Sequence, residues 1–110
     1  MLTRNTPSEI STVLLLQGPT GEIKLPVVYF NRNPDELQAE FDEYLQLPDD
    51  VRENMPLPVL KVVKSWEAEY ELSNAGLTEA ERDHPGVTNA LIRGYHQCRM
   101  VNLVGNLKPQ

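Results

Sequence analysis

The sequence predicts an α+β fold, in which an N-terminal antiparallel β-hairpin is followed by three to four α-helices. Two apolar runs of strand length, 10–16 and 23–30, lie near the N-terminus and are rich in β-branched residues. The segment between them, 17–22, contains two glycines and a proline and has the length of a hairpin loop. Beyond residue 33 the apolar residues recur at helical spacing. Strands that precede a group of helices are typical of the α+β class.

One proline precedes the predicted hairpin and another lies inside it. Residues 1–9 are polar and include Pro7, which predicts a flexible arm before the first strand. Pro26 lies inside the second strand but has no N–H to donate to a neighbouring strand. It therefore predicts that the second strand lies at an edge of the sheet or contains a bulge.

The first helix is predicted to begin at Pro34. Asn33 can cap it, proline suits the first helical position, and Glu36 lies three residues after the cap, as in a capping box. Acidic residues of 35–43 lie on the other faces, and Pro48 ends the helix. The apolar face carries Leu37, Phe41, Tyr44 and Leu45.

A proline-rich linker, 47–58, precedes a second predicted helix that begins at Pro58. The acidic residues Glu67, Glu69 and Glu71 predict a solvated surface, and the helix is expected to end at 73–76. Its apolar face is expected to carry Val59, Val63, Trp66 and Tyr70.

Two further helical segments are predicted. Thr78 and Glu81 form a capping box for a short helical turn, which 84–86 (HPG) ends. The last helix is predicted over 87–104, with a cap at 105–106 and a tail at 107–110. A single domain is therefore expected over 10–106. Apolar residues at helical spacing in the last helix are Val87, Leu91, Tyr95, Cys98 and Val101.

Length and composition exclude several classes of protein. The 110 residues suit one domain, and the net charge of −6 argues against binding to nucleic acid or to an anionic membrane. One cysteine, Cys98, cannot form an internal disulfide and suits a reducing cytosol. No apolar run has the length of a transmembrane helix, and no signal peptide is expected at the N-terminus.

The residues that could carry chemistry do not form a recognisable constellation. His96 and Cys98 are two residues apart, which places them about 200° apart on a helix. The segment 18–21 (GPTG) lacks the following Lys-Ser/Thr and helix of a phosphate-binding loop. Two histidines and one cysteine leave little material for a zinc site. The sequence therefore predicts a protein that binds rather than catalyses, with no cofactor and no metal.

A series of short motifs in the second half of the chain carries a family resemblance. Residues 57–66 (LPVLKVVKSW) end in Trp66 and are followed by acidic residues. The segment 77–79 (LTE), a helix that follows Pro85, and the pair 105–106 (GN) come next. In this order the motifs resemble the tail assembly chaperones of long-tailed bacteriophages. The strand pair and the helix of 33–45 also fit, so the resemblance covers about 10–106 and is most specific over 57–106.

The resemblance implies a non-catalytic, non-structural protein of a phage or prophage. Such a chaperone binds the tape measure protein, keeps it soluble, and helps to recruit tail tube subunits, in some phages through a longer frameshifted form. The expected location is the host cytoplasm, with no copy in the mature virion. Self-association is also expected, because a two-stranded sheet is marginal alone and a second copy, or an apolar partner, can complete its layer. The alternatives are a small acidic adaptor or inhibitor, or a head-tail completion protein that stays in the virion.

Partner contacts are predicted on the hairpin and on the later apolar segments. A client with exposed apolar stripes requires apolar contact area on the chaperone. The net negative charge would keep the coated complex soluble. The predicted contact residues are Val13, Leu15, Val27, Tyr29, Trp66, Tyr95 and Met100.

Overall fold

The computed structural model describes residues 1–52 and 58–101 and has the predicted α+β architecture. A three-stranded antiparallel sheet, in the order β1-β2-β3, packs against helices on one face. The elements are β1 (Glu9–Gly18), β2 (Gly21–Phe30), α1 (Pro34–Gln46), α2 (Asp49–Arg52), a 3-10 turn (Pro58–Lys61), β3 (Val63–Trp66), α3 (Asn74–Asp83) and α4 (Val87–Arg99).

The predicted hairpin is confirmed, with longer strands and a tighter turn than expected. β1 and β2 pair along ten residues each, and Gly18 pairs with Gly21 across a two-residue turn. Gly21 has a φ of 132°, which L-residues with a side chain rarely adopt. Burial alternates along β1, so one set of its side chains faces the helices and the other faces outward.

The expectation that Pro26 marks an edge strand or a bulge was wrong. β2 is the central strand, and the irregularity of its pairing with β3 lies between Val28 and Tyr29. The Pro26 carbonyl accepts a hydrogen bond from the Glu67 N–H at 3.0 Å, just after β3 ends. A strand residue turns its amide and carbonyl to the same neighbour. The missing N–H of Pro26 therefore falls at the end of the β2–β3 ladder, where it interrupts no central bond.

The predicted second helix is replaced by the 3-10 turn and by β3, which is the largest correction to the sequence analysis. Val63 pairs with Tyr29 and Trp66 pairs with Val27, so this segment completes the sheet. Val63 and the preceding Val62 are β-branched and suit a strand, and an apolar spacing over so few residues is compatible with both structures. The predicted end of this helix, 73–76, instead begins α3.

The start of α1 is as predicted, but the helix lies loosely on the molecule. The Asn33 side chain accepts from the backbone N–H of Asp35 at 2.8 Å, with Pro34 in the first turn. None of its residues is buried. An ion pair fastens α1 to the end of β2: Arg32 donates to both carboxylate oxygens of Glu40, at 2.6 and 2.9 Å. The adjacent guanidinium lowers the pKa of Glu40.

The boundary between α3 and α4 uses different caps from those predicted. Ser73, not Thr78, caps α3, and its side chain accepts from the Gly76 N–H at 3.1 Å. Glu81 reaches forward to α4, where its carboxylate accepts from the N–H groups of Gly86 at 2.5 Å and Thr88 at 3.1 Å. These bonds lower the pKa of Glu81. The predicted stop at 84–86 is confirmed, because α3 ends at Asp83.

The core lies between the inner face of the sheet and helices α3 and α4. α4 ends at Arg99, earlier than the predicted residue 104, and Met100 has an extended backbone. The predicted cap at 105–106, the tail at 107–110 and part of the linker lie outside the described residues. The core consists of Leu25, Val27, Tyr29, Val59, Val62, Val63, Leu77, Ala80, Val87, Leu91 and Tyr95.

Candidate functional site

The sheet face that points away from the helices carries exposed apolar side chains of the hairpin. Val13 and Leu15 of β1 are 51% and 65% exposed, although both are large aliphatic residues. Opposite them on β2 lie Pro26 and Lys24. We call this surface the outer face; its side chains belong to Ser11, Val13, Leu15, Lys24, Pro26, Val28, Phe30 and Ser65.

A shallow depression crosses the centre of the outer face. It has a volume of about 510 Å³ and lies over Val28, which pairs with Ser11 on one side and Ser65 on the other. Two small hydroxyl side chains beside a valine leave room for a side chain from a partner. The depression can therefore receive one side chain of a partner, with Val13, Pro26 and Val28 among its apolar walls.

An ion pair lies at the end of the outer face that is opposite the hairpin turn. Lys64 of β3 donates to a Glu9 carboxylate oxygen at 2.6 Å and so bridges the two outer strands. Exposed ion pairs of this kind contribute little to stability. This pair leaves no net charge of its own at that end of the outer face.

A long groove runs between β1 and α4. It has a volume of about 930 Å³, and every residue of 12–18 lines it, whereas β2 contributes only Ile23. Residues of both orientations in β1 line the groove, so it follows the edge of that strand. On the helix side it is lined by Ala90, Arg93, Gly94, Gln97 and Cys98.

A smaller groove separates α1 from α4. It has a volume of about 330 Å³, and its apolar walls come from Leu37 and Phe41 of α1 and from Ile92 of α4. His96 and Arg99 stand at its polar side. Phe41 is exposed although it belongs to the predicted apolar face of α1, because the helix is only partly covered.

The predicted contact residues divide into exposed and buried groups. Val13 and Leu15 lie together on the outer face, and Met100, which is 63% exposed, follows the end of α4. Trp66 is half-buried, and its indole N–H donates to the Tyr70 carbonyl at 3.1 Å. The structure thus brings two of the seven predicted residues together at an accessible surface.

Val27, Tyr29 and Tyr95 are core residues, which corrects their assignment to a partner surface. Their exposures are 2%, 0% and 1%. The Tyr29 hydroxyl donates to the Leu91 carbonyl at 2.8 Å, and its ring lies 5.6 Å from that of Tyr95. Burial raises the pKa of Tyr29 well above its ordinary value. These side chains have no accessible surface for a partner because they join the sheet to α4.

The histidine and the cysteine of α4 do not form a catalytic pair. Cys98 is half-buried, and its thiol donates to the Tyr95 carbonyl at 3.2 Å. Burial raises the pKa of Cys98, which disfavours the reactive thiolate. His96 is exposed and its ring lies 5.4 Å from that of Tyr95. Cys98 therefore behaves as a small packing residue.

Neither a metal-binding cluster nor a membrane-spanning helix is found among the described residues. Within 1–52 and 58–101, no group of three or more His, Cys, Asp or Glu side chains is arranged to hold a metal ion. In the same part of the chain, no helix has the length and apolar character needed to cross a membrane.

Sequence reasoning missed the β2 half of the outer face. Pro26, Val28 and Phe30 alternate with the core residues of β2 and thus share a face with Val13 and Leu15. Period-two alternation was available as a signal once the strands had been assigned. The missing information was the register, because it decides which alternating set of β2 lies beside which set of β1.

No protein-family model matches the sequence, and comparison with curated proteins and with solved structures finds no match. The outer face and the two grooves are therefore defined as candidate sites by their geometry.

Proposed function

We propose that this chain is a non-catalytic phage tail assembly chaperone, which binds the tape measure protein through the outer face and keeps it soluble. Val13 and Leu15 carry the proposal: they are two neighbouring large aliphatic side chains, each more than half exposed, on one sheet face. Adjacent exposed apolar side chains on one sheet face are typical of a surface that binds a partner. The order of motifs that resembles the chaperone family supports the choice of client.

The outer face is suited to an apolar helix or strand of a client. The depression over Val28 accepts one apolar side chain, and Val13 and Leu15 extend the contact toward the turn of the hairpin. Full burial of one such aliphatic side chain stabilises a complex by about 1.5 to 3 kcal/mol. Several copies along one long client would reinforce each other by avidity.

The net charge of −6 supports the same role at the level of the complex. Charges of one sign on many bound copies repel neighbouring complexes and keep them dispersed. The proposal also includes recruitment of tail tube subunits, directly or through a longer frameshifted form. It places the protein in the host cytoplasm and not in the virion.

The proposal is tested by co-expression with the tape measure protein. We expect the full chain to increase the soluble fraction of the client. The Val13→Ser, Leu15→Ser double variant should lose at least about tenfold in affinity, because two apolar contacts disappear while the fold is kept. Affinity is measured by titrating the chain into a soluble tape measure fragment.

A matched control separates this surface from general surface apolarity. The Leu45→Ser, Val51→Ser variant removes two exposed apolar side chains from α1 and α2, outside the outer face and the two grooves, and should bind the fragment like the unmodified chain. Equal solubility of the tape measure protein with and without this chain would refute the proposal. Detection of the chain in purified virions by mass spectrometry would favour a structural role instead.

A further inference from the structure

We infer that two copies of this chain join through the free edges of their β1 strands. The strands would run antiparallel about a two-fold axis near Val13 and form one continuous six-stranded sheet. This inference concerns a second copy of the chain and does not depend on the identity of any client. It rests on the backbone of β1, on the groove beside it, and on the charges along it.

The backbone of β1 presents unused hydrogen-bonding groups at its free edge. In the part of the chain that the structure describes, β1 pairs with β2 alone. Pro26 directs its carbonyl to the β3 side, and its partner Val13 therefore belongs to a pair that exchanges no hydrogen bond. Val13 must direct its own amide and carbonyl away from β2. By alternation, Ser11, Leu15 and Gln17 do the same.

β1 itself lacks the sequence features that normally prevent edge strands from pairing. Proteins protect such edges with lysines, prolines, bulges or very short strands. β1 is ten residues long, contains no proline, and pairs with β2 in a continuous register. Its one charged residue is Glu9, at its first position. An unprotected edge of this length favours an added strand.

Among residues 1–52 and 58–101, no strand fills the space beside the edge, which has the form of a strand site. The groove of about 930 Å³ follows 12–18 and has α4 as its far wall. The inward side chains Leu14 and Leu16 are only half-buried at this groove. The N-terminal arm does not occupy the edge at its base, because Asn31 holds the carbonyls of Pro7 and Ser8 near the end of β2.

The β1 sequence is compatible with pairing to itself. A two-fold axis at Val13 places Val13 opposite Val13 of the second copy and Ser11 opposite Leu15. The same register places Glu9 opposite the neutral Gln17, and Lys64 already pairs with Glu9 within each copy. No like charges face each other along the shared edge, and an antiparallel pair satisfies the closed symmetry of a dimer. The two outer faces then form one continuous surface.

The first test is the oligomeric state of the full chain by sedimentation equilibrium. The expected mass is twice 12.5 kDa at micromolar concentration. Val13→Pro removes the central edge amide without removing a β1–β2 bond. It should raise the dimer dissociation constant by about 30-fold, because it deletes two central hydrogen bonds per dimer. Val13→Thr keeps the amide and the β-branched shape, and should remain dimeric.

A second variant separates edge pairing from association through the outer face. Val28→Lys places a charge on the central strand between Ser11 and Ser65, away from the β1 edge. It should leave the dimer intact. A dimer that survives Val13→Pro but is lost in Val28→Lys would place the contact on the outer face and overturn the inference. The inference is also overturned if the unmodified chain is still monomeric at a concentration about 100-fold above micromolar, where even a weak dimer would form.

Cross-linking tests the register without relying on a destabilising substitution. In a Cys98→Ser background, Val13→Cys places one thiol of each copy across the axis, within the Cα separation that disulfides span. Mild oxidation should give a covalent dimer. Thr20→Cys, at the exposed turn, should give none above the level of random collision. Equal cross-linking of the two variants would contradict the proposed pairing, whatever the result with the tape measure protein.

Discussion

At the scale of single residues, Tyr29 decides how the sheet is joined to α4. It is fully buried, and its hydroxyl bonds to the carbonyl of Leu91, 62 positions along the chain. Tyr95 from α4 packs against its ring, and its own hydroxyl meets the backbone of Arg32. Two tyrosines that the sequence suggested as partner contacts thus hold the core together. Composition alone does not separate these roles, because an amphipathic ring suits both a core and an interface.

The buried hydroxyl of Tyr29 predicts a loss of stability in alkali. Burial raises the pKa of this hydroxyl in the folded state, whereas in the unfolded chain its pKa is near 10.0. The stability that follows from this difference in pKa is therefore fully present below pH 10, and it is lost as the pH rises further. The free energy of unfolding should fall by about 1.4 kcal/mol between pH 9 and pH 11 from this group. Urea unfolding at each pH measures the change.

The matched variants assign this pH dependence to one side chain. Tyr29→Phe should be less stable by about 1 kcal/mol at neutral pH, since one buried hydrogen bond is lost. The free energy of unfolding of this variant should also lack the decrease between pH 9 and pH 11 that is assigned to Tyr29. Tyr44→Phe, on α1, should retain the decline. A Tyr29→Phe variant with an unchanged alkaline slope would show that another group is responsible.

At the scale of elements, short segments are defined by contacts from outside themselves. The segment Val63–Trp66 has a helical spacing of apolar residues but becomes a strand, because its backbone completes the free side of β2. Glu81 similarly has the position of a capping residue for its own helix but caps the next one. By contrast, Asn33 and Pro34 act within a few residues, and the predicted start of α1 is confirmed.

The Glu81 contact predicts that α4 loses stability when its cap is removed. Glu81→Gln should lower the free energy of unfolding by about 1 kcal/mol, since a charged acceptor at a helix start is replaced by a neutral one. Because the pKa of Glu81 is lowered, its contribution is present above about pH 4.5 and is lost as the pH falls. Thermal unfolding followed by circular dichroism measures the difference between pH 7 and pH 3.

The exposed Glu79 in the same helix provides the comparison. Glu79→Gln should change stability by less than about 0.5 kcal/mol at either pH. If the two substitutions had equal effects at pH 7, general loss of negative charge would explain them and the cap would not.

At the scale of the whole molecule, the sheet and the last two helices share one core. Residues from β2, β3, α3 and α4 and from the 3-10 turn meet in it, and these elements come from both ends of the described chain. If one element of such a core unfolds, the remaining elements lose side chains against which they pack. Small single domains of this type unfold cooperatively.

The single tryptophan tests this cooperativity. Trp66 belongs to β3, is half-buried, and packs against the core. Its fluorescence should change at the same urea concentration as the far-ultraviolet circular dichroism, which reports mainly the helices. The two midpoints are expected to agree within experimental error. Distinct midpoints would mean that the sheet and the helices unfold as separate units.

The sequence by itself determined the features that depend on neighbouring residues. The hairpin, the start of α1, the stop before α4 and the α+β class follow from alternation, caps and turn residues, all of which act over a few positions. Only the tertiary structure decided that 58–66 forms a 3-10 turn and a strand instead of a helix. It also decided that Pro26 lies in the central strand and that Val27, Tyr29 and Tyr95 are buried. These depend on pairing between distant segments, and a single-residue change of strand register would exchange the buried and exposed faces. Among the predicted contact residues, Val13 and Leu15 lie together on an accessible sheet face, beside residues of β2 that local patterns did not identify.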